Sequence, residues 1–294
     1  MSKSNHIRFI INPTSGPKNS VDVAARIKLL LDKQKYSHDI VYTTHAGHAP
    51  ELAREAAAKG CAVVVAVGGD GTVNEVARGL LNSDTALGIL PKGSGNGLAR
   101  HLQIPLGLDK AIGVLNKGQV TSIDSGSING HPFFTTAGIG FDAYISSVFA
   151  GNKKRGLQTY VELVMKEVLK YKHLPVKASI NGNVIDTDCF VMAFANAAQY
   201  GNNAYIAPMA DIRDGHLDVC LVRRLDLIKA LNLSYCMLTK TLAHSDSAEY
   251  FTTQHVEVHT EEPMMFHADG DYLGKSTAFD VQLLPLSLKV QVPT

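Results

Sequence analysis

The sequence predicts an α/β N-terminal domain with a doubly wound, mainly parallel sheet, followed by a mainly antiparallel β C-terminal domain. Three observations predict it. From residue 7 to about 122, short apolar runs alternate with stretches of helical periodicity. Three of the apolar runs end in glycine-rich turns: NPTSG at 12–16, GGDGT at 68–72 and PKGSGNG at 91–97. After about residue 123 the alternation stops, and Asn129-Gly130 and Asn181-Gly182 sit between β-prone runs, which is the strongest short hairpin signal.

In chain order, IRFII (7–11) reads as a strand and VDVAARIKLLLDKQ (21–34) as the helix after it. HDIVYTT (38–44) and APELAREAAAKG (49–60) repeat the unit, as do CAVVVAV (61–67) and TVNEVARGLL (72–81). In the last of these, Val73, Val76, Ala77, Leu80 and Leu81 share one helical face. ALGIL (86–90) then enters the third glycine turn and LARHL (98–102). Strands alternating with helices imply right-handed crossovers, and such sheets bind ligands outside the carboxyl ends of their strands. In the second half, the β-type runs GHLDVCLV, HVEVHT, FDVQLLP and LSLKVQV follow the two hairpins, with one long helical stretch at 157–171. The expected domains are 1–126 and 127–285, with a strand near 286–294 returning to the first.

At 294 residues and 45% hydrophobic composition the chain can bury two cores. Its 28 basic and 27 acidic side chains leave a formal charge of +1, so no global field draws it to nucleic acid. Cys61, Cys189, Cys220 and Cys236 form no CxxC and read as free thiols in a reducing compartment. The N-terminus lacks a signal-peptide core, and no apolar stretch reaches the roughly 18 residues of a spanning helix. A cytoplasmic protein is the expectation.

The loops carry the chemistry. GGDGT lets backbone N–H groups approach a phosphate chain, yet it is neither GxGxxG nor a Walker A, and it holds a carboxylate, Asp70. Asp70 is also a turn former, and Glu75 has capping-box spacing to Thr72. Two further glycine turns hold acids: Asp269 and Asp271 in HADGDYLG, Asp211 and Asp214 in ADIRDGHLDV. Carboxylates near a polyphosphate repel it unless a cation or a proton donor stands between, and Mg²⁺ is held by one or two carboxylates with phosphate oxygens. His45, His48, His101, His131, His244, His255 and His267 show no zinc spacing.

NPTSG, GGDGTVNEV, LPKGSGNGLAR, DGHLDV and DGD occur in an order and spacing that resembles the diacylglycerol kinase catalytic-domain superfamily. This group includes bacterial lipid kinases and sphingosine kinases and is related to NAD kinases. The resemblance covers nearly the whole chain and implies an NAD-kinase-like fold with ATP bound between two domains. Asn12, Pro13, Thr14, Ser15, Gly16, Thr43, Gly69, Asp70, Gly71, Thr72, Val73, Asn74, Glu75 and Ser94 would contact ATP. Asp271 matches the general base, usually Glu in this family, and Asp70 is the second catalytic carboxylate. A structural Mg²⁺ would lie at Asp214, with the backbone carbonyls of Asp211 and His216 as ligands. DIRDGHL also reads as a plain hairpin turn.

Asn96-Gly97 departs from the Asn-Asp of many bacterial diacylglycerol kinases and is closer to the sphingosine-kinase pattern. Asp142 lies near where sphingosine kinases bind the substrate amine, and a helix-capping role competes with that assignment. Lys153, Lys154 and Arg155 precede a stretch in which Leu157, Tyr160, Val161, Val164 and Val168 share a face. That face meets either anionic lipid or the core. The expected activity is ATP-dependent phosphorylation of a diacylglycerol-like or sphingoid hydroxyl, with peripheral contact at the inner membrane surface and no nucleic-acid partner. Monomer and homodimer both stay open. The rivals are a NAD kinase and a non-catalytic nucleotide or lipid binder.

Overall fold

The computed structural model describes residues 5–16, 22–151, 157–168, 170–225 and 227–294, with side chains left out at 157–161 and 227. Two compact units divide the chain, residues 1–123 with 286–294, and residues 124–285.

The first unit is built from β1 (His6–Ile11), α1 (Val23–Leu30), β2 (Ser37–Tyr42), α2 (His48–Ala58), β3 (Val63–Gly68), α3 (Asp70–Leu80), β4 (Ala86–Pro91), α4 (Gly97–His101) and α5 (Leu108–Lys117). Its strands are parallel in the order β2-β1-β3-β4, and Val290 near the C-terminus adds a parallel neighbour to Leu87. All of β3 and β4 is buried, as expected for strands covered on both faces. Asp22 caps α1 by accepting from the Ala25 N–H at 3.1 Å. Gly79 sits inside α3 because α2 crosses there: a Cβ would lie 2.6 Å from the Pro50 carbonyl oxygen. The strand order reverses between β1 and β3, and that switch point is where open sheets of this kind place ligands.

The second unit is mainly antiparallel. Its elements are β5 (Gln119–Ile128), which begins in the first unit, β6 (His131–Phe133), β7 (Thr136–Gly140), α6 (Phe141–Ala150), α7 (Leu157–Glu167), β8 (Leu174–Ile180), β9 (Asn183–Cys189), β10 (Val191–Ala195), β11 (Gln199–Gly201), β12 (Ala204–Tyr205), β13 (Leu217–Val222), α8 (Leu227–Thr239), β14 (Glu249–Thr253), β15 (His255–Ala268) and β16 (Asp271–Val292), which from residue 286 belongs to the first unit. The order β14-β13-β10-β7-β15-β16 forms its sheet, with the β8–β9 hairpin added along β15. Both Asn-Gly pairs turn hairpins with positive φ at each residue, 48° and 78° at Asn129-Gly130, 52° and 78° at Asn181-Gly182. One sheet face buries Phe133, Met192, Phe194, Val256, Phe266 and Phe279.

Three local expectations change. The second unit has three helices of eight or more residues among the described residues rather than one: α6 is rich in β-favouring side chains, and α8 is apolar around its circumference, so neither shows a clear period. FDVQLLP and LSLKVQV are one continuous strand, β16, bent where Leu286 takes φ 47°. The capping box also fails, because α3 starts at Asp70 with Gly69 as N-cap, which puts Thr72 inside the helix. All four cysteines are buried and free of disulfides.

Candidate active-site loops

In the first unit the three glycine turns close the carboxyl ends of β1, β3 and β4. Asn12, just after β1, ties two of them together. Its amide nitrogen donates to the Thr72 hydroxyl at 3.1 Å, and its amide oxygen accepts from the Thr14 N–H and hydroxyl at 3.0 and 2.8 Å. The Asn12 carbonyl accepts from the Ser15 N–H at 3.2 Å, closing a turn that exposes Pro13 and Thr14. Gly16 follows at φ 84°. Thr43, after β2, donates its N–H to the Ile11 carbonyl at 3.0 Å. The Gly71 and Ser94 positions are exposed, whereas Thr72, Val73 and Asn74 are buried.

The β3 and β4 loops pack backbone against backbone. A Cβ on Gly93 would lie 2.7 Å from the Gly69 Cα. Gly93→Ala therefore forces the loops apart, with an expected loss of about 1–3 kcal/mol. Thermal unfolding checks it, and a wild-type melting temperature would contradict this packing.

Asp70 lies in the first turn of α3, and its two oxygens accept from the N–H groups of Asn96 at 2.8 Å and Gly97 at 2.7 Å. These are donors at the start of α4, where a carboxylate is favoured. Asn96 holds φ 53° there, and its side chain exchanges hydrogen bonds with Gly93, accepting from the N–H at 3.0 Å and donating to the carbonyl at 2.7 Å. An anion in a phosphate-type turn thus has a local physical reason: it braces the third loop against the second. Glu75 accepts from the Gly47 N–H at 2.9 Å, fixing the loop before α2 rather than its own helix end.

In the second unit the β15–β16 hairpin turns through Asp269 (φ 49°) and Gly270 (φ 84°), the left-handed pair of a type I′ turn. Its two acids differ sharply. Asp269 accepts from the N–H groups of Phe134, Thr135 and Thr136 at 2.9, 2.8 and 3.2 Å, and from the Thr135 hydroxyl at 2.6 Å. Asp271 opens β16, is exposed, and pairs with Ala268 across the ladder. The turn is held from beneath by a buried chain: the Gly270 N–H donates to His267 Nδ1 at 3.2 Å, so Nε2 carries the proton and donates to Asp142 Oδ2 at 3.1 Å. Tyr200 donates its hydroxyl to the same oxygen at 3.1 Å. Asp142 sits in the first turn of α6 and is 8% exposed. Sequence reasoning singled out Asp142 but not Tyr200 or the link through His267, because long-range partners leave no spacing to read.

The loop DIRDGHL is a set of tight turns. Asp211 Oδ1 accepts from the Arg213 N–H at 3.0 Å, and Asp214 Oδ1 from the His216 N–H at 2.9 Å. Gly215, at φ 75°, donates to Oδ2 of Asp124 at 2.9 Å. Asp124 is 1% exposed and was not a candidate from sequence, although a carboxylate inside the β-prone run SIDSGSI is a detectable signal. Burial raises the pKa of nearby Asp218, while a hydrogen bond from Thr252 opposes it. The described residues hold no cluster of three or more His, Cys, Asp or Glu side chains fit for a metal. The site implied at Asp214 needs only one carboxylate and two carbonyls. That hard-oxygen donor set suits Mg²⁺, and the half-exposed Asp214 side chain reaches solvent.

Val164 of α7 and Val168 just beyond its end pack against a core cluster with Phe141, Ile145 and Phe190, so both positions face the core. Lys153, Lys154 and Arg155 lie outside the described residues, as do the side chains of Leu157, Tyr160 and Val161.

The chain thus has a parallel α/β unit with glycine loops at the carboxyl ends of β1, β3 and β4, followed by an antiparallel β unit that presents an acid on a hairpin. The family profile for the diacylglycerol kinase catalytic domain matches residues 6–128, and that for the YegS C-terminal NAD kinase beta sandwich-like domain matches residues 135–292. The chain belongs to the diacylglycerol kinase catalytic-domain family. It is 30% identical over 298 residues to a diacylglycerol kinase of Mycobacterium tuberculosis (strain ATCC 25618 / H37Rv), covering 98% of this chain and 95% of that one. It is 31% identical over 257 residues to a probable lipid kinase YegS-like of Chromohalobacter salexigens, covering 85% and 82%. A crystal structure of a diacylglycerol kinase from Bacillus anthracis str. Sterne superposes with TM-score 0.78 at 22% identity, covering 99% and 98%, and so shares the fold. The α/β-plus-antiparallel-β expectation and the family resemblance both hold. Among the described residues no helix is long and apolar enough to cross a membrane.

Proposed function

We propose that this family member is an ATP-dependent lipid kinase that transfers the γ-phosphate to the hydroxyl of a diacylglycerol-like or sphingoid lipid. One observation carries the reading: of the two acids on the DGD turn, Asp269 is consumed by four hydrogen bonds while Asp271 is presented to solvent. The first holds the turn against the backbone of residues 134–136, and the second stands exposed on the turn at the position of the family's general base.

In this reading ATP lies on the loops of the first unit. The Asn12–Gly16 turn, Thr43, Gly69–Glu75 and Ser94 bind it, partly through N–H groups at the start of α3. Asp271 accepts the proton of the lipid hydroxyl as its oxygen bonds to the γ-phosphorus, and the bond to the β-γ bridging oxygen breaks to release ADP. Asp is one methylene shorter than the usual Glu, so the acceptor hydroxyl approaches closer. Asp70 fixes the β4 loop that borders the phosphates. Mg²⁺, if held by the Asp214 carboxylate and the carbonyls of Asp211 and His216, supplies positive charge that pins this loop.

Asp214→Ala tests that last role. Wild-type stability rises with Mg²⁺, by about 2.7 kcal/mol at a hundredfold excess over Kd; the variant's melting temperature does not respond. Equal responses would overturn the assignment.

The acceptor is tested by initial rates with ATP and a panel of diacylglycerols, monoacylglycerols, sphingoid bases and NAD. The expected result is phosphorylation of a glycerolipid or sphingoid base. Robust phosphorylation of NAD with no lipid product would replace this reading with a NAD kinase.

A further inference from the structure

The two central residues of the turn before Asp271 are held by different means. Asp269 accepts from the backbone N–H groups of residues 134–136. Gly270 instead donates its N–H to Nδ1 of His267 at 3.2 Å. Just below the turn the β15–β16 ladder slips, because Phe266 faces Gly274 whereas His267 faces Tyr272. Such a bulge bends the strand that carries it and re-aims what lies beyond. The aim of Asp271 therefore depends on the bond that reaches Gly270, its neighbour in the chain.

That bond is anchored in the core of the unit. His267 is 1% exposed, and its ladder partner on β7 is Gly138. A Cβ on Gly138 would lie 2.1 Å from Oδ2 of Asp142 and 3.0 Å from Nε2 of His267. Glycine thus leaves the space in which the two side chains meet. Asp142 accepts on Oδ2 from His267 Nε2–H and from the Tyr200 hydroxyl, each at 3.1 Å, and on Oδ1 from the Ala143 N–H at 2.7 Å. The titratable neighbours of the ring are Asp142 on α6, Tyr200 on β11 and Tyr272 across the ladder on β16, while the Asp269 carboxylate turns to residues 134–136. These bonds select one tautomer, with Nδ1 bare and the proton on Nε2. A second proton, on Nδ1, would set N–H against the Gly270 N–H, and the bond would be lost.

We infer that His267 is a positioning residue for Asp271 and that its own protonation gates this role. The neutral ring holds the turn in place, and the charged ring releases it. The inference rests on the lipid-kinase reading for Asp271 as the proton acceptor.

The test follows kcat against pH at saturating ATP and short-chain diacylglycerol, over the range of about pH 5 to 8 in which imidazoles ordinarily titrate. His267→Gln keeps an acceptor and a donor on one amide but cannot gain a proton. Its rate should match wild type at the alkaline end and lack the wild-type decline toward acid. His267→Phe fills the site with neither group, and its kcat should fall about tenfold to a hundredfold with the KM for ATP unchanged. A Gln variant whose profile superimposes on that of wild type overturns the gate. A Phe variant with wild-type kcat overturns the positioning role. Should either variant misfold, a second readout needs neither substitution nor turnover. In ¹⁵N spectra of the full chain, the Gly270 amide should shift with the same midpoint as the His267 ring. A Gly270 amide that ignores the ring overturns the inference, whereas intact coupling without any lipid phosphorylation counts against the kinase reading alone.

Discussion

Asp271→Asn lowers phosphoryl transfer by about 10²–10⁴-fold and leaves nucleotide affinity within a few fold, because the change removes a proton acceptor without altering side-chain volume. The residue is exposed at the first position of β16, and the hairpin beneath it is fixed by Asp269 and by the Gly270–His267–Asp142 chain. Amide substitution therefore leaves the turn intact, and the loss falls on kcat. Steady-state rates with ATP titration separate the two parameters. A variant that keeps half the wild-type rate would remove Asp271 from the chemistry.

Asp70→Asn has a larger structural component. The amide can present one oxygen but must set its NH₂ against the N–H of Asn96 or Gly97. A hydrogen bond to a charged group contributes about 1.5–3 kcal/mol, so the loss of one such bond lowers the melting temperature by several degrees. Turnover falls with it, and the Mg²⁺ dependence of the rate weakens, because the loop proposed to border the phosphates is no longer braced. Wild-type melting combined with a wild-type Mg²⁺ titration and rate would contradict both the brace and the site role. Thermal unfolding beside an Mg²⁺ titration of the rate measures the two together.

The parts of the fold that announce themselves do so through local patterns. Parallel strands buried on both faces, such as β3, read as unbroken apolar runs, and Asn-Gly turns need only two adjacent residues. The glycine loops were legible for the same reason, as were Asp70 and Asp271 within them. What Asp70 and Glu75 bond to was not legible. Their partners, Asn96, Gly97 and Gly47, lie 26 to 28 residues away and donate through the backbone, so no side-chain pattern marks them. Asp124 and Tyr200 stayed hidden likewise, since their roles depend on strands that meet only in the folded unit. The helix α8 escaped because periodicity detects a contrast between faces, and both its faces are apolar.

The account stands most directly on one transfer. Purified chain is mixed with Mg²⁺, ATP labelled at the γ-phosphate and a short-chain diacylglycerol or sphingoid base, and the products are extracted into organic solvent. The account predicts labelled lipid phosphate formed one-for-one with ADP, and loss of both in Asp271→Asn. ADP formed without labelled lipid, or label confined to the aqueous phase with NAD as acceptor, would contradict it.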